Sequence, residues 1–194
     1  VDAPVGILAL QGDYAKHAES FAALGVPTRL VRRPAELEDC RGLVIPGGES
    51  TTLARLLDRC GLRGPLLAYA AERPVLGTCA GLILLAREIE AEPGGDHGVR
   101  PLGLLDCRVQ RNGFGRQVDS FSEALSLRDL DGSEEPFLAV YIRAPRILAA
   151  GPAAEIVGRR GEEPVAVRQG RLLGLTFHPE LTADPRVHAA FLDL

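Results

Sequence analysis

The sequence predicts an α/β fold: a doubly wound, mostly parallel sheet flanked by helices, with an antiparallel strand extension in the second half. Three observations carry this expectation. Short apolar runs alternate with helix-period segments through the first half. The second half instead spaces β-rich runs with Gly, Pro and charged turns. The 194 residues suit a single domain, 1–194, and no internal repeat, low-complexity tract or linker divides them.

In chain order, the apolar run 5–10 reads as a buried strand. Ala15, Ala18, Phe21 and Ala22 recur at helical spacing over 14–24, and Gly25 follows as a stop. Residues 28–31 form a second strand, and Pro34 opens a helical turn. The run 42–45 is a third strand that ends at Pro46-Gly47-Gly48. Ser50 is placed to N-cap a helix through about 59, with Leu53, Leu56 and Leu57 on one face. A helix over 64–72, a strand at 74–76 and a helix over 79–90 continue the alternation. Repeated β-α-β units of this length require parallel strands with helices on both faces. Beyond a loop at 92–99, strands are expected at 105–110, 137–142, 155–159, 165–168 and 172–177. Few helices lie between them, which implies antiparallel pairing. A helix over 184–192 closes the chain.

Composition narrows the function classes. A net charge of −4 and a pI near 5.6 argue against nucleic acid as the main ligand, since phosphate binding wants a basic face. Residues 1–10 have neither the basic start nor the long apolar stretch of a secretory signal, and no run approaches a membrane span. Cys40, Cys60, Cys79 and Cys107 form no CxxC pair and match no zinc spacing, so no metal is expected. Reduced thiols in a cytoplasmic setting are the default. Cys40, Cys60 and Cys107 read as small buried hydrophobes. His17, His97 and His188 read as satisfied or exposed histidines.

Cys79 is different. Gly77-Thr78-Cys79-Ala80-Gly81 follows a strand and opens a helix, the setting of a nucleophile elbow. Such a turn is crowded and strained, so its neighbours must be small. It places the sulfur at a helix N-terminus, where partial positive charge favours thiolate, and leaves the Ala80 N–H able to hold an oxyanion. Two other segments belong at the same sheet edge. Pro46-Gly47-Gly48-Glu49-Ser50 ends one strand, and paired glycines let backbone N–H groups face a ligand. Phe177-His178-Pro179-Glu180 ends the last strand. In extended chain His178 and Glu180 point the same way, and a carboxylate beside an imidazole fixes its tautomer. Nucleophile, base, base-orienter and backbone donors together make a Cys-His-Glu acyl-transfer constellation.

Six blocks resemble one family. They are Leu10-Gln11-Gly12, Pro46 through Thr52 (Pro-Gly-Gly-Glu-Ser-Thr-Thr), Gly77 through Gly81, Arg111-Asn112-Gly113-Phe114-Gly115-Arg116-Gln117, Ile142-Arg143-Ala144-Pro145 and Phe177 through Thr182. End to end, the chain is similar to glutaminase subunits of pyridoxal 5′-phosphate synthase, within the class I glutamine amidotransferases. The elbow and the His-Pro-Glu are shared across that class. The Gly-Gly-Glu-Ser-Thr-Thr and Arg-Asn-x-Phe-Gly-Arg-Gln blocks are specific to the subfamily.

The resemblance implies a class I glutamine amidotransferase-like, flavodoxin-like fold and hydrolysis of L-glutamine to glutamate and ammonia without a cofactor. It implies catalysis by Cys79, His178 and Glu180, with oxyanion donors at Gly48 and Ala80. Glutamine contacts fall on Gly48, Glu49, Ser50, Arg111, Ile142 and Arg143. Arginine suits the α-carboxylate and Glu49 the α-ammonium. It also implies a partner, a synthase subunit that receives the ammonia and completes the oxyanion hole on docking, with Gln11 near that interface. No nucleic acid or membrane partner is implied. Gly113 stands where Ala or Ser is expected and should loosen its loop, and the loop at 92–100 is longer than usual. Alternatives are a glutaminase of another biosynthetic pathway, which the block at 111–117 disfavours, a γ-glutamyl peptidase, and a non-catalytic binding domain. The loop Gln11-Gly12-Asp13-Tyr14 is a poor phosphate cradle.

Overall fold

The computed structural model describes residues 3–90, 98–113 and 120–194. The first half follows the expected alternation: β1 (Val5–Leu8), α1 (Tyr14–Ala23), β2 (Thr28–Val31), β3 (Gly42–Ile45), α2 (Ser50–Arg59), α3 (Arg63–Ala70), β4 (Val75–Thr78) and α4 (Ala80–Leu85). The second half is mostly strand: β5 (Ala86–Ile89), β6 (Leu105–Gln110), β7 (Phe121–Leu125), α5 (Arg128–Asp131), β8 (Phe137–Tyr141), β9 (Arg146–Ala150), β10 (Glu155–Arg160), β11 (Glu163–Gln169), β12 (Leu172–Leu175) and α6 (Arg186–Leu192).

Among the described residues, a seven-stranded sheet runs in the order β10-β11-β12-β4-β3-β1-β2. The five strands from β12 to β2 are parallel, and β11 and β10 add to them antiparallel. The inner strands are buried on both sides, and their alternate residues enter different cores. In β3, Leu43 and Ile45 pack with α2, α3 and α4, while Val44 packs with Phe21 of α1 and Phe191 of α6. The antiparallel pair β7–β8 lies on the α1–α6 side, and a small sheet, β5-β6-β9, lies on the other.

The helix expected over 79–90 is half that length. It stops at Leu85, and Ala86–Ile89 turns extended and pairs in parallel with β6. The reason is tertiary. Ala80–Leu85 is apolar all round, and the charged residues Arg87, Glu88 and Glu90 come only after it, so no continuous polar face commits 79–90 to one helix. Backbone N–H groups of Leu102, Gly103 and Leu104 take the carbonyls of Leu84, Ala86 and Leu85, which ends the helical ladder. Two further expectations shift. Glu49, not Ser50, caps α2. Residues 179–181 form a 3₁₀ turn opened by Pro179 where extended chain was expected. Strands β7 (Phe-Ser-Glu-Ala-Leu) and β9 (Arg-Ile-Leu-Ala-Ala) lack a polar/apolar alternation and were not expected from the sequence. The 92–99 loop, including His97, lies almost wholly outside the described residues.

Candidate active site

Three adjacent strands, β3, β4 and β12, deliver the chemistry-bearing segments to one edge. Ile45 pairs with Gly77, and Leu175 pairs with Thr78, so the chain leaves all three strands side by side. The segments that follow are Gly47-Gly48, Cys79 and His178. This is the carboxyl edge where open α/β sheets place ligands.

Cys79 is buried and sits at φ 49°, ψ −103°, with its N–H donating to Leu175 O at 2.8 Å. The flanking glycines are required by contact. A Cβ at Gly81 would fall 2.0 Å from Ile45 O, and one at Gly77 would fall 2.6 Å from the Gly81 carbonyl carbon. Ala80 opens α4, so its N–H has no partner within the helix. Among the described residues, the non-glycine residues with positive φ are Cys79, Asn112 and Arg143, and all three line one cavity. Strained backbone gathers where a site over-determines it.

His178 is held by its backbone N–H, which donates to Val140 O at 2.8 Å. Its Nδ1 lies 2.7 Å from Glu180 Oε1, and Glu180 is buried. A carboxylate only accepts, so Nδ1 carries the proton and Nε2 faces the thiol side. Burial opposes the charged ring, but Cys79 and Glu180 on its two sides outweigh it and push His178 up to about 10. Nε2 itself makes no hydrogen bond, and the Cys79 thiol leans toward Ile142 O at 3.9 Å. The sulfur therefore acts on the ring through proximity and charge rather than through a formed bond. Burial also opposes the Glu180 charge, yet His17 and His178 beside it hold that carboxyl below its ordinary value. His17 is kept neutral by burial, so its help is that of an N–H dipole.

The cavity is about 270 Å³, below the roughly 300–1,000 Å³ of drug-sized sites, and suits a small molecule. Gly48, Glu49, Ser50, Cys79, Arg111, Ile142, Arg143 and His178 all line it. Glu49 does more than the sequence suggested. Its carboxylate accepts from Thr51 N and Thr52 N at 3.0 and 2.7 Å and from Thr52 Oγ1 at 2.6 Å. Burial works against that charge, but these bonds dominate and hold the carboxyl at about 2. Arg111 Nη2 lies 3.7 Å from Glu49 Oε1, so a cation and an anion share one wall. Gly48 has φ 140°, and the Gln11 side chain occupies the space a Cβ would need there. Gln11 Oε1 accepts from Glu49 N at 3.2 Å.

Some features were missed. Asp13, Ile83, Asn112 and Leu181 also line the cavity. Asn112 and Leu181 lie within blocks that carry the resemblance, whereas no pattern marks Ile83. At Gly113 a Cβ would meet Arg146 Cγ at 2.5 Å, so the glycine lets Arg146 pack closely. Phe114 through Gln117 lie outside the described residues. Cys60 is exposed, contrary to expectation, while Cys40 and Cys107 are buried. Burial pushes the Cys107 thiol up to about 12, which leaves it inert. Among the described residues, no group of three or more His, Cys, Asp or Glu could hold a metal ion, and no helix is long and apolar enough to cross a membrane.

The sequence model described as the SNO glutamine amidotransferase family matches residues 7–194. A protein of Pelotomaculum thermopropionicum named pyridoxal 5′-phosphate synthase subunit PdxT is 51% identical over 97% of this chain and 93% of its own length. One of the same name from Deinococcus radiodurans is 50% identical over 98% and 96%. A crystal structure described as a glutamine amidotransferase superposes with a TM-score of 0.88 at 43% identity, covering 97% of both chains. The structure of PurLQS from Thermotoga maritima superposes with a TM-score of 0.71 at 15% identity over 100% of this chain and 99% of that one, which speaks to the fold alone.

Proposed function

The chain belongs to the SNO glutamine amidotransferase family, and from that premise we propose that it is the glutaminase subunit of a pyridoxal 5′-phosphate synthase. It hydrolyses L-glutamine to L-glutamate and ammonia and passes the ammonia to a synthase subunit. The name shared by relatives near 50% identity supports the pathway. The observation that carries the chemistry is the 2.7 Å His178–Glu180 pair just after the strand beside the Cys79 elbow.

In this reading the Cys79 thiol passes its proton to His178 as the sulfur attacks the side-chain amide carbon, and the carbonyl electrons move to oxygen. The N–H groups of Ala80 and Gly48 receive that oxyanion. His178 gives a proton to the departing nitrogen, and ammonia leaves as the thioester forms. His178 then takes a proton from water, the hydroxide attacks the thioester, and glutamate departs as the sulfur recovers its proton. Glu180 keeps the ring in the Nδ1–H tautomer and steadies the imidazolium. Arg111 and Arg143 suit the α-carboxylate of a free amino acid. Glu49, ionised by its bonds to Thr51 and Thr52, suits the α-ammonium. Ser50 and Ile142 complete the walls, and no cofactor takes part.

The chain 1–194 acts as one glutaminase domain in this proposal. A working thiol of this kind needs a reducing compartment, which agrees with the cytoplasm. Gln11, wedged against Gly48, is placed to report docking of the synthase to the oxyanion segment. The test is glutamate release from free glutamine, with and without the synthase subunit. Strong stimulation, lost in Cys79→Ala, supports the proposal. Equal activity in both conditions points to an independent amidase or another pathway's subunit, and none in either points to a binding domain.

A further inference from the structure

Behind Glu180 lies a pair of buried histidines that the hydrolytic reading does not use. His17 comes from α1 and His188 from α6, and both are fully buried. His17 Nδ1 lies 2.9 Å from His188 Nε2. His17 Nε2 lies 3.4 Å from Glu180 Oε2 and 3.4 Å from Thr78 Oγ1, on the residue before Cys79. The His188 ring stands edge-on to Phe21, with centroids 5.0 Å apart. Cys79, His178, Glu180, His17 and His188 thus form one row from the cavity into the core.

Polarity settles how the protons are placed along that row. Glu180 Oε1 is occupied by His178, while Oε2 is buried without a formed hydrogen bond and has His17 Nε2 facing it at 3.4 Å, a distance that Nε2 shares with the Thr78 hydroxyl. A carboxylate only accepts, so His17 Nε2 must carry its hydrogen. In a neutral ring, Nδ1 is then the acceptor, and His188 Nε2 must donate to it. This leaves His188 Nδ1 as a bare lone pair, and it is the buried His188 atom with no partner. An unfilled acceptor is tolerated better than an unfilled N–H. The opposite polarity would aim a lone pair at the carboxylate and strand an N–H in the core. Burial keeps both rings neutral and holds His188 as low as about 3. The other charged groups acting on His17 are Asp13 and His178.

We propose that His17 is a positioning residue: an uncharged Nε2–H donor aimed at the second oxygen of Glu180, with His188 locking its tautomer. The inference rests on the reading of Cys79, His178 and Glu180 as the hydrolytic triad. At 3.4 Å the contact is longer than a strong hydrogen bond, so it acts mainly as an oriented dipole. A buried carboxylate bonded through one oxygen can swing or take up a proton. A donor on its far oxygen opposes both.

The test begins with the unaltered chain. Nitrogen NMR of ¹⁵N-histidine-labelled protein should show His17 and His188 as neutral Nε2–H tautomers across neutral pH. A charged His17, or one protonated on Nδ1, overturns the proposal. In the complex with the synthase subunit, His17→Leu should lower kcat roughly tenfold with KM little changed, as for a lost bond to a charged group. It should also move the His178 titration midpoint downward, and His17→Gln, which restores an N–H, should recover most of both. If His17→Leu lowers only thermal stability, leaving kcat and the His178 midpoint alone, the role is merely structural and the proposal fails. If that variant does not fold, His188→Leu gives the same readout with a smaller loss, because it unlocks the tautomer without removing the donor. Absence of glutamine hydrolysis by the unaltered complex would sink the triad reading, while the tautomer measurement would still decide how His17 faces Glu180.

Discussion

A methyl group on Gly47 would sit 2.4 Å from Cε1 of His178. It would also sit 3.3 Å from Cβ of Cys79. Gly47 therefore sets the gap between nucleophile and base, as a spacer that holds nothing itself. Gly47→Ala should push the ring aside and lower kcat by about 100-fold, the scale of a misplacement near 1 Å. Glutamate release by a variant of normal melting temperature checks this. Near-normal turnover would mean the ring has room the geometry does not show.

His178→Asn should abolish hydrolysis, because no other group can carry the proton between sulfur, ammonia and water. Glu180→Gln should be less severe, a loss of roughly 10- to 100-fold in kcat, since one bond to a charged ring is exchanged for a neutral one. Single-turnover release of ammonia separates the two. Equal activity of Glu180→Gln and the parent would remove Glu180 from the mechanism.

Arg111→Ala should raise KM about tenfold or more and change kcat less, because it removes a charged contact to the bound amino acid rather than one made only in the transition state. Arg111→Lys should recover only part of the affinity, since an ammonium cannot grip a carboxylate with two parallel bonds. Steady-state kinetics on glutamine decide. A fall in kcat with unchanged KM would place Arg111 against the reacting amide instead.

Stability should decline in mild acid, before the carboxylates titrate. His188 is held at about 3 against 6.5 in a free chain. Between those values the unfolded chain binds a proton that the native chain does not. The His188 contribution is therefore full above pH 6.5 and falls as pH drops toward 3, with a slope of up to about 1.4 kcal/mol per pH unit for each such group. His17 acts in the same direction. Glu49 adds its loss only below its free value of 4.5, on the way to about 2. His178, raised to about 10, contributes fully below pH 6.5 and loses its contribution as pH rises through 10. Urea midpoints between pH 6.5 and 4.5 should drop for the parent and flatten in His188→Phe. Identical slopes would show that the buried histidine does not resist protonation.

The sequence carried the parallel half of the fold because its strands are short apolar runs closed by Pro and Gly, and its helices have one apolar face. It failed where pattern is silent. Residues 80–86 are apolar enough to be either helix or strand, and the N–H groups of Leu102 through Leu104 decide between them. Strands β7 and β9 are five residues each and show no period-two alternation to announce them. The site was legible for a related reason: nucleophile elbows, paired glycines and His-x-Glu are local patterns at strand ends. What joins His17 to Glu180 is not local. It depends on α1 and α6 meeting across the sheet face, and nothing in either helix records the other. Glu49 shows the same limit, since its capping of α2 follows from backbone angles that Ser50 could equally have satisfied.

The pairing of β12 with β4 has a consequence in time. Leu175 lies beside Thr78, though the ribosome makes them 97 positions apart. At roughly 5–20 residues per second, the elbow thiol exists for several seconds before its base has been synthesised. Throughout that interval β4 has no neighbour on the side that β12 will fill. On the proposed mechanism, the growing chain thus carries a nucleophile without its proton acceptor and cannot begin thioester chemistry while unfinished. Insertion of β12 completes the row of parallel strands and, on the proposed mechanism, arms the thiol in one event, so that a chain cut short before it is silent.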